Sequence, residues 1–129
     1  MIAEDWNRIY RTIKFDFPEL TFREDTTARD FLYMVVPEDI AEAAYNKAKS
    51  IMFGTDVVVV GGGLKETDIQ GLKNGLKGKV VVAGNGACVA LNKAGVRSDV
   101  IVTDLDAPFD EIQRNLRAGS VIILHGHGD

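Results

Sequence analysis

The chain has 129 residues, of which 46% are hydrophobic and 26% charged, and its formal net charge at pH 7 is −4. These values are typical of one folded domain, and with no dense run of Lys and Arg they argue against a nucleic-acid partner. The single cysteine excludes an internal disulfide. The apolar runs are far shorter than the ~20 residues of a membrane helix, and no signal-peptide pattern is present. We therefore expect a cytoplasmic protein without a membrane partner.

Residues 1–53 are predicted to form an N-terminal helical segment. The first helix should end before Pro18, the second should begin at a cap at Asp25 or Thr26, and the third should begin at Pro37. Apolar side chains at helical spacing mark the first helix, at Trp6, Ile9, Tyr10, Ile13 and Phe17, and the third, at Ile40, Ala44, Ala48 and Ile51. Apolar stripes of this kind more often pack into a hydrophobic core than form a ligand-binding surface, so we expect both to be buried.

Residues 54–129 show a βαβαβαβ pattern. Short β-branched runs predict strands at residues 56–60, 80–83, 100–103 and 121–124. Between them, buried helix faces are predicted at Ile69, Leu72 and Leu76, at Ala87, Ala90, Leu91 and Ala94, and at Phe109, Ile112 and Leu116. Gly95 and Gly119 are expected to end helices. The predicted fold class is α/β, a Rossmann-like, mostly parallel sheet covered by helices on both faces and preceded by the helical segment.

Glycine-rich or polar segments follow all four predicted strands. Parallel strands place their carboxyl ends at one edge of a sheet, where doubly wound folds bind ligands. Gly61, Gly62 and Gly63 precede a helix whose free amides could hold a phosphate. A tight turn is an equally good interpretation, since the chain has neither a dinucleotide fingerprint nor a Gly-Lys-Ser/Thr motif.

Five acidic residues and no Lys or Arg occur in residues 98–113. Asp104 and Asp106 are two positions apart, so an extended strand end would direct both carboxylates to the same side. A divalent cation would relieve their repulsion, and Mg²⁺ is commonly held by one or two carboxylates together with substrate phosphates. We therefore predict a Mg²⁺ site at these two residues, against the alternative that they cap the helix after Pro108.

His125 and His127 alternate in the same way, and Asp129 follows two residues later. The histidines could ligate a transition metal, orient a phosphate or transfer a proton, whereas a lone histidine is more often structural. Asn85 and Cys88 are interpreted from local sequence as a turn residue and a small core thiol, because no basic neighbour would activate the cysteine.

Several segments together resemble one family. They are "DWNRIY", "REDTTARDFL", "VVVVGGG", "VVVAGNGACVALNKAGVRSDVIVTDLD" and "VIILHGHGD". Over nearly the whole chain, and most specifically in TDLD and HGHGD, the sequence resembles the MptE-like family, the archaeal 6-hydroxymethyl-7,8-dihydropterin pyrophosphokinases. The resemblance implies Mg²⁺-dependent transfer of diphosphate from ATP to the hydroxymethyl group of a pterin, with release of AMP. ATP and the pterin are the implied partners, and a homo-oligomer is compatible with the sequence.

The resemblance also implies roles for individual residues. These are Asp104 and Asp106 as metal ligands, Gly61, Gly62 and Gly63 as a cofactor-binding phosphate loop, and His127 and Asp129 as catalytic residues. Asn85 and Gly86, in the loop after the second predicted strand, are also expected to bind the cofactor. Either catalytic residue could receive the proton of the substrate hydroxyl.

Members of the family continue past the HGHGD segment. We therefore expect the chain to be a fragment or a shortened relative, with residues 54–129 as an incomplete domain and a pterin pocket too incomplete for full turnover. Two other functions stay open. Related domains resemble sugar transferases, which would hold a nucleotide sugar at the same edge, and the third possibility is a nucleotide- or Mg²⁺-binding module without turnover.

Overall fold

The computed structural model describes residues 3–17 and 23–126. Three helices come first, α1 (Ala3–Asp16), α2 (Arg23–Val35) and α3 (Glu38–Met52). Pro37 directly precedes α3, as predicted, whereas α2 begins at Arg23, ahead of the predicted cap, because arginine is itself a good helix former. Within the described ranges, none of the helices combines the length and the apolar character needed to cross a membrane.

A four-stranded parallel sheet forms the rest of the chain. Its elements are β1 (Val57–Val60), α4 (Glu66–Leu72), β2 (Val80–Gly84), α5 (Ala87–Lys93), β3 (Val100–Thr103), α6 (Phe109–Arg117) and β4 (Val121–Leu124), with a short 3-10 turn, Lys73–Leu76, after α4. The strands lie in the order β1-β2-β3-β4 and all pair in parallel. The predicted α/β class and the preceding helical segment are confirmed.

Helices α4, α5 and α6 cover one face of the sheet, because right-handed crossovers between successive neighbouring strands all return on the same side. The buried core on this face includes Val60, Ile69, Val81, Ala83, Cys88, Leu91, Ile101 and Ile112. On α6 the buried side runs through Ile112 and Asn115. At 3.6 residues per turn, Phe109 and Leu116 are rotated away from that side, so both are exposed although the sequence predicted them to be buried. Leu72, the last residue of α4, is also exposed, although the sequence predicted it to be buried.

The opposite face is covered by α3 only in part. Ala48 of α3 packs with Val100 and Val121, so this helix lies over β3 and β4. On the edge strand β1, Val59 is 72% exposed. Helices therefore cover both faces of the sheet at β3 and β4, as predicted. On this face, none of the described helices covers β1.

The predicted apolar stripes of the helical segment are only partly buried. On α3, Ala48 is buried and Ala44 and Ile51 are half-buried, but Ile40 is exposed. The stripe positions on or next to α1 that can be assessed are all exposed, namely Ile9, Ile13 and Phe17. For these three positions the core interpretation is wrong, because helical spacing identifies an apolar stripe without determining how far other elements cover it.

Gly95 and Gly119 end α5 and α6 as predicted, at φ values of 67° and 91°. We expect Gly119→Ala to destabilise the protein by about 1–2 kcal/mol, because an L residue is strained in this left-handed region. Steric overlap would not contribute, since the nearest atom to an added Cβ is the Lys47 Nζ at 3.9 Å. Urea denaturation measures the change.

Gly71 provides the matched control for this substitution. It lies inside α4, its φ is not positive, and no atom lies within 4 Å of an added Cβ. Gly71→Ala should therefore stabilise the protein by about 0.4–1 kcal/mol. Equal effects at the two glycines would contradict the backbone conformation described at Gly119.

Candidate functional site

The segments that follow β2, β3 and β4 meet at the carboxyl edge of the sheet. The pairing of β2 with β3 places Gly84 opposite Val102. Backbone hydrogen bonds continue the pairing of β2 with β3 and of β3 with β4 by one residue each. Asn85 N donates to Val102 O at 2.6 Å, and His125 N donates to Thr103 O at 2.9 Å. Residues distant in the sequence are thus neighbours here, as parallel pairing predicted.

A cavity of about 270 Å³ opens at this edge. Its lining residues are Gly84, Asn85, Val102, Thr103, Asp104 and His125. The volume lies just below the ~300–1,000 Å³ of sites that enclose drug-sized ligands, so the cavity has room for part of a ligand, such as its phosphate groups. Asn85 and Asp104 were predicted as site residues, whereas Thr103 was not.

The acidic residues after β3 form a turn instead of an extended strand end. Leu105 has a φ of 75°, a strained value for a leucine, and Asp106 N donates a hydrogen bond to Asp104 Oδ1 at 3.3 Å. The predicted strand-like alternation of the two carboxylates is therefore wrong. Asp104 and Asp106 nevertheless share one turn, with Asp104 half-buried at the cavity and Asp106 exposed.

Thr103 connects this turn to the loop after β2. The Thr103 hydroxyl donates to Asn85 Oδ1 at 3.1 Å and accepts a hydrogen bond from Leu105 N at 2.9 Å. The side chain is buried, and Asn85 has a φ of 46°, which asparagine tolerates better than most residues. A threonine directly before an acidic turn, able to bond the backbone two residues on, is the signal that could have identified this residue.

The five acids of residues 98–113 do not act together. Asp99 lies at the opposite end of β3, where its carboxylate accepts hydrogen bonds from Val81 N and the Arg97 guanidinium. Glu111 accepts a hydrogen bond from the Asn92 side chain. The other three acids, Asp104, Asp106 and Asp110, follow the carboxyl end of β3.

Few of the described side chains at this edge could ligate a metal ion. Within residues 3–17 and 23–126, no group of three or more His, Cys, Asp and Glu side chains is arranged to hold a metal ion. Asp104 and Asp106 could supply the one or two carboxylates by which Mg²⁺ is commonly held, with oxygen ligands from a bound molecule and water completing the set.

The glycine loop after β1 lies outside the cavity lining. Gly61, Gly62 and Gly63 are exposed, none has a positive φ, and no atom lies within 4 Å of an added Cβ at any of them. The first turn of α4 already holds a negatively charged group, because the Asp68 carboxylate accepts a hydrogen bond from Lys65 N at 2.9 Å. The phosphate-loop interpretation stays a prediction, and so does the role of Gly86, which is exposed outside the cavity lining.

Helix α2 borders the loop that follows β4. A Cβ added at Gly126 would lie 2.8 Å from Leu32 Cδ1 and 3.3 Å from backbone atoms of α2, so only glycine fits without a shift. The sequence did not predict that the helical segment reaches this edge. The predicted catalytic residues His127 and Asp129 lie outside the described residues.

Cys88 is a fully buried core thiol in α5, as predicted. Burial raises the pKa of this thiol, and the negative charge of Glu111 raises it further. The folded protein therefore keeps the thiol protonated at a pH where the unfolded chain, with a thiol pKa of about 8.5, ionises it. This contribution to stability is complete below the unfolded-state pKa and is lost as the pH rises above it.

We expect the stability of the wild-type protein relative to Cys88→Ala to fall as the pH is raised from about 8 to about 10. Urea denaturation of both proteins across this range measures the difference and cancels the titration of all other groups. A difference that does not change with pH would contradict the raised pKa.

No protein-family model matches the chain. The chain is 32% identical over 142 aligned residues to the 6-hydroxymethyl-7,8-dihydropterin pyrophosphokinase of Methanocaldococcus jannaschii, an alignment that covers 100% of this chain and 54% of that protein. It is 31% identical over 129 residues to the protein of the same name from Pyrococcus furiosus, covering 98% of this chain and 53% of the relative. A Methanothermobacter thermautotrophicus protein of the same name is 41% identical over 49 residues, which are 38% of this chain and 21% of that relative.

These alignments confirm the resemblance that the sequence motifs indicated. The chain spans about half the length of the two relatives that align along it, 54% and 53%.

Proposed function

We propose that this chain binds ATP with Mg²⁺ at the carboxyl edge of its sheet and takes part in diphosphate transfer to 6-hydroxymethyl-7,8-dihydropterin. The observation that carries the proposal is its similarity, along its whole length, to two archaeal proteins with that pyrophosphokinase name. A cavity at this edge, lined by Asp104 and Asn85, supports it further.

Asp104 and Asp106 are the proposed ligands of Mg²⁺. Both offer hard carboxylate oxygens from a single turn, and Asp104 lines the cavity. Two carboxylates with the remaining positions taken by phosphate oxygens and water suit Mg²⁺ better than a metal that requires a complete set of protein ligands. When bound, the ion would neutralise negative charge on the phosphate oxygens.

The proposed reaction forms a bond between the pterin hydroxyl oxygen and the β-phosphorus of ATP. The bond from that phosphorus to the oxygen bridging it to the α-phosphate breaks, and AMP leaves with that oxygen. The hydroxyl proton passes to a base, for which His127 and Asp129 are the proposed candidates. Positioning and electrostatics dominate such transfers, so the residues around the cavity would act by holding the phosphates in line with the acceptor.

The test is product analysis with ATP, Mg²⁺ and the hydroxymethyl dihydropterin. We expect AMP release that requires both the pterin and Mg²⁺, at a lower rate than in the Methanocaldococcus jannaschii relative, which is the positive control. Release of ADP, or of AMP without the pterin, would contradict the proposed reaction. ATP binding without AMP release would instead favour a binding module, and a thermal shift by UDP- or CMP-sugars but not by ATP would favour a sugar-transferase-like function.

A further inference from the structure

The Thr103 hydroxyl links the two loops that line the cavity. It donates to the Asn85 side chain in the loop after β2 and accepts from the Leu105 backbone in the turn after β3. The Thr103 side chain is 2% exposed, so water does not compete for these bonds. A single buried oxygen therefore bonds to the segment that carries Asn85 and to the segment that carries Asp104 and Asp106.

The direction of these bonds follows from the chemistry of a hydroxyl group, which has one donor hydrogen. Because Leu105 N–H donates to the Thr103 oxygen, the hydroxyl hydrogen is left to find an acceptor, and Asn85 Oδ1 is that acceptor at 3.1 Å. This orients the Asn85 amide with its oxygen toward Thr103. The amide NH₂ is consequently turned away from Thr103, on a residue that lines the cavity.

The same hydroxyl bonds to two residues whose backbone conformations are unfavourable. Leu105 has a φ of 75° and Asn85 a φ of 46°, both in the left-handed region that L residues rarely adopt. Such conformations persist only where surrounding interactions enforce them, and they concentrate at functional sites. Without the bond from Leu105 N, the turn would lose a restraint that keeps Asp104 and Asp106 close together.

We infer that Thr103 is a positioning residue, whose hydroxyl fixes the Asn85 amide and the acidic turn in the arrangement that receives Mg²⁺ and the phosphates of ATP. This inference rests on the proposed function. Thr103 acts through Asn85 and Leu105 and is not itself a ligand of the metal.

The test compares two substitutions that each change one group on the Cβ of Thr103, the hydroxyl in one and the methyl group in the other. Thr103→Val removes the hydroxyl and keeps the shape, whereas Thr103→Ser keeps the hydroxyl. Titration calorimetry with ATP and Mg²⁺ should show a loss of affinity of about 10- to 100-fold in Thr103→Val, the range for residues that orient metal ligands, and near wild-type affinity in Thr103→Ser.

A matched control separates positioning from general stability. The Ser120 hydroxyl is also buried and donates to Ser98 O, but it lies at the opposite edge of the sheet. Ser120→Ala should lower the melting temperature and leave ATP affinity unchanged. If Thr103→Val likewise lowers the melting temperature without changing the affinity, the hydroxyl is only structural and the inference is overturned.

A measurement without ligand distinguishes this inference from the proposed function. The Leu105 amide should be protected from hydrogen exchange in the wild-type protein and in Thr103→Ser, and should exchange faster in Thr103→Val. If the wild-type protein shows this protection but does not bind ATP with Mg²⁺, the proposed function fails while the role of Thr103 in ordering the turn is supported. Equal exchange in all three proteins would overturn that role.

Discussion

Replacing both Asp104 and Asp106 by asparagine should weaken Mg²⁺-dependent ATP binding by at least about 100-fold, since even residues that only orient metal ligands contribute about 10- to 100-fold. Asparagine keeps the size of each side chain and an oxygen that can accept the hydrogen bond from Asp106 N, so the turn should persist. The substitution removes two negative charges from the proposed ligands. Titration calorimetry with ATP, in the presence of Mg²⁺ and in the presence of EDTA, measures the effect.

The control for this experiment removes the same two charges elsewhere. Asp39 lies in the first turn of α3 and Asp56 directly precedes β1, and both are exposed. The double variant Asp39→Asn with Asp56→Asn should retain wild-type affinity for ATP and Mg²⁺. If both double variants lose affinity equally, the effect comes from net charge, and Asp104 and Asp106 are not the metal ligands.

Leu91→Ala should have the largest effect on stability, about 2–5 kcal/mol. Leu91 is 0% exposed and packs between α5 and the sheet, in the cluster that holds α4, α5 and α6 on one face. Truncating it removes apolar contacts and leaves a cavity that the neighbouring helices cannot fully close. The free energy of unfolding, measured by urea denaturation, reports the loss.

Leu116 provides the comparison for this substitution. Helical spacing predicted it to be as buried as Leu91, but it is 55% exposed. Leu116→Ala should therefore change the free energy of unfolding by less than about 0.5 kcal/mol. A large loss at Leu116 would support the burial expected from the sequence and contradict the orientation of α6.

Local sequence patterns predicted the strands well, because short β-branched runs between glycine-rich segments rarely form anything other than a strand. Residues 100–103 and 121–124 are strands as predicted, and Gly95 and Gly119 end helices at positive φ. The buried sides of helices were less predictable. Periodicity identifies a stripe, but whether the stripe is covered depends on the strand order. Here that order places three helices on one face, and the described helices leave part of the other face uncovered.

The candidate site was predicted in its location but not in its internal geometry. The carboxyl ends of parallel strands had to share an edge, so Asn85 and Asp104 were expected to be neighbours. The left-handed conformation of Leu105 could not be predicted, since leucine rarely adopts it. The bond between Thr103 and Asn85 joins residues 18 positions apart and depends on the register of β2 with β3, which local sequence does not determine.

The central claim is that Mg²⁺ and ATP bind at the carboxyl edge of β2, β3 and β4, and backbone amide NMR with ATP and Mg²⁺ tests it most directly. We expect the largest shift changes at Asn85, Leu105 and His125, with those at Leu105 dependent on Mg²⁺. Amides at the opposite edge, such as those of Asp99 and Ser120, should be unaffected. Changes confined to the opposite edge, or to the exposed face of β1, would contradict the account.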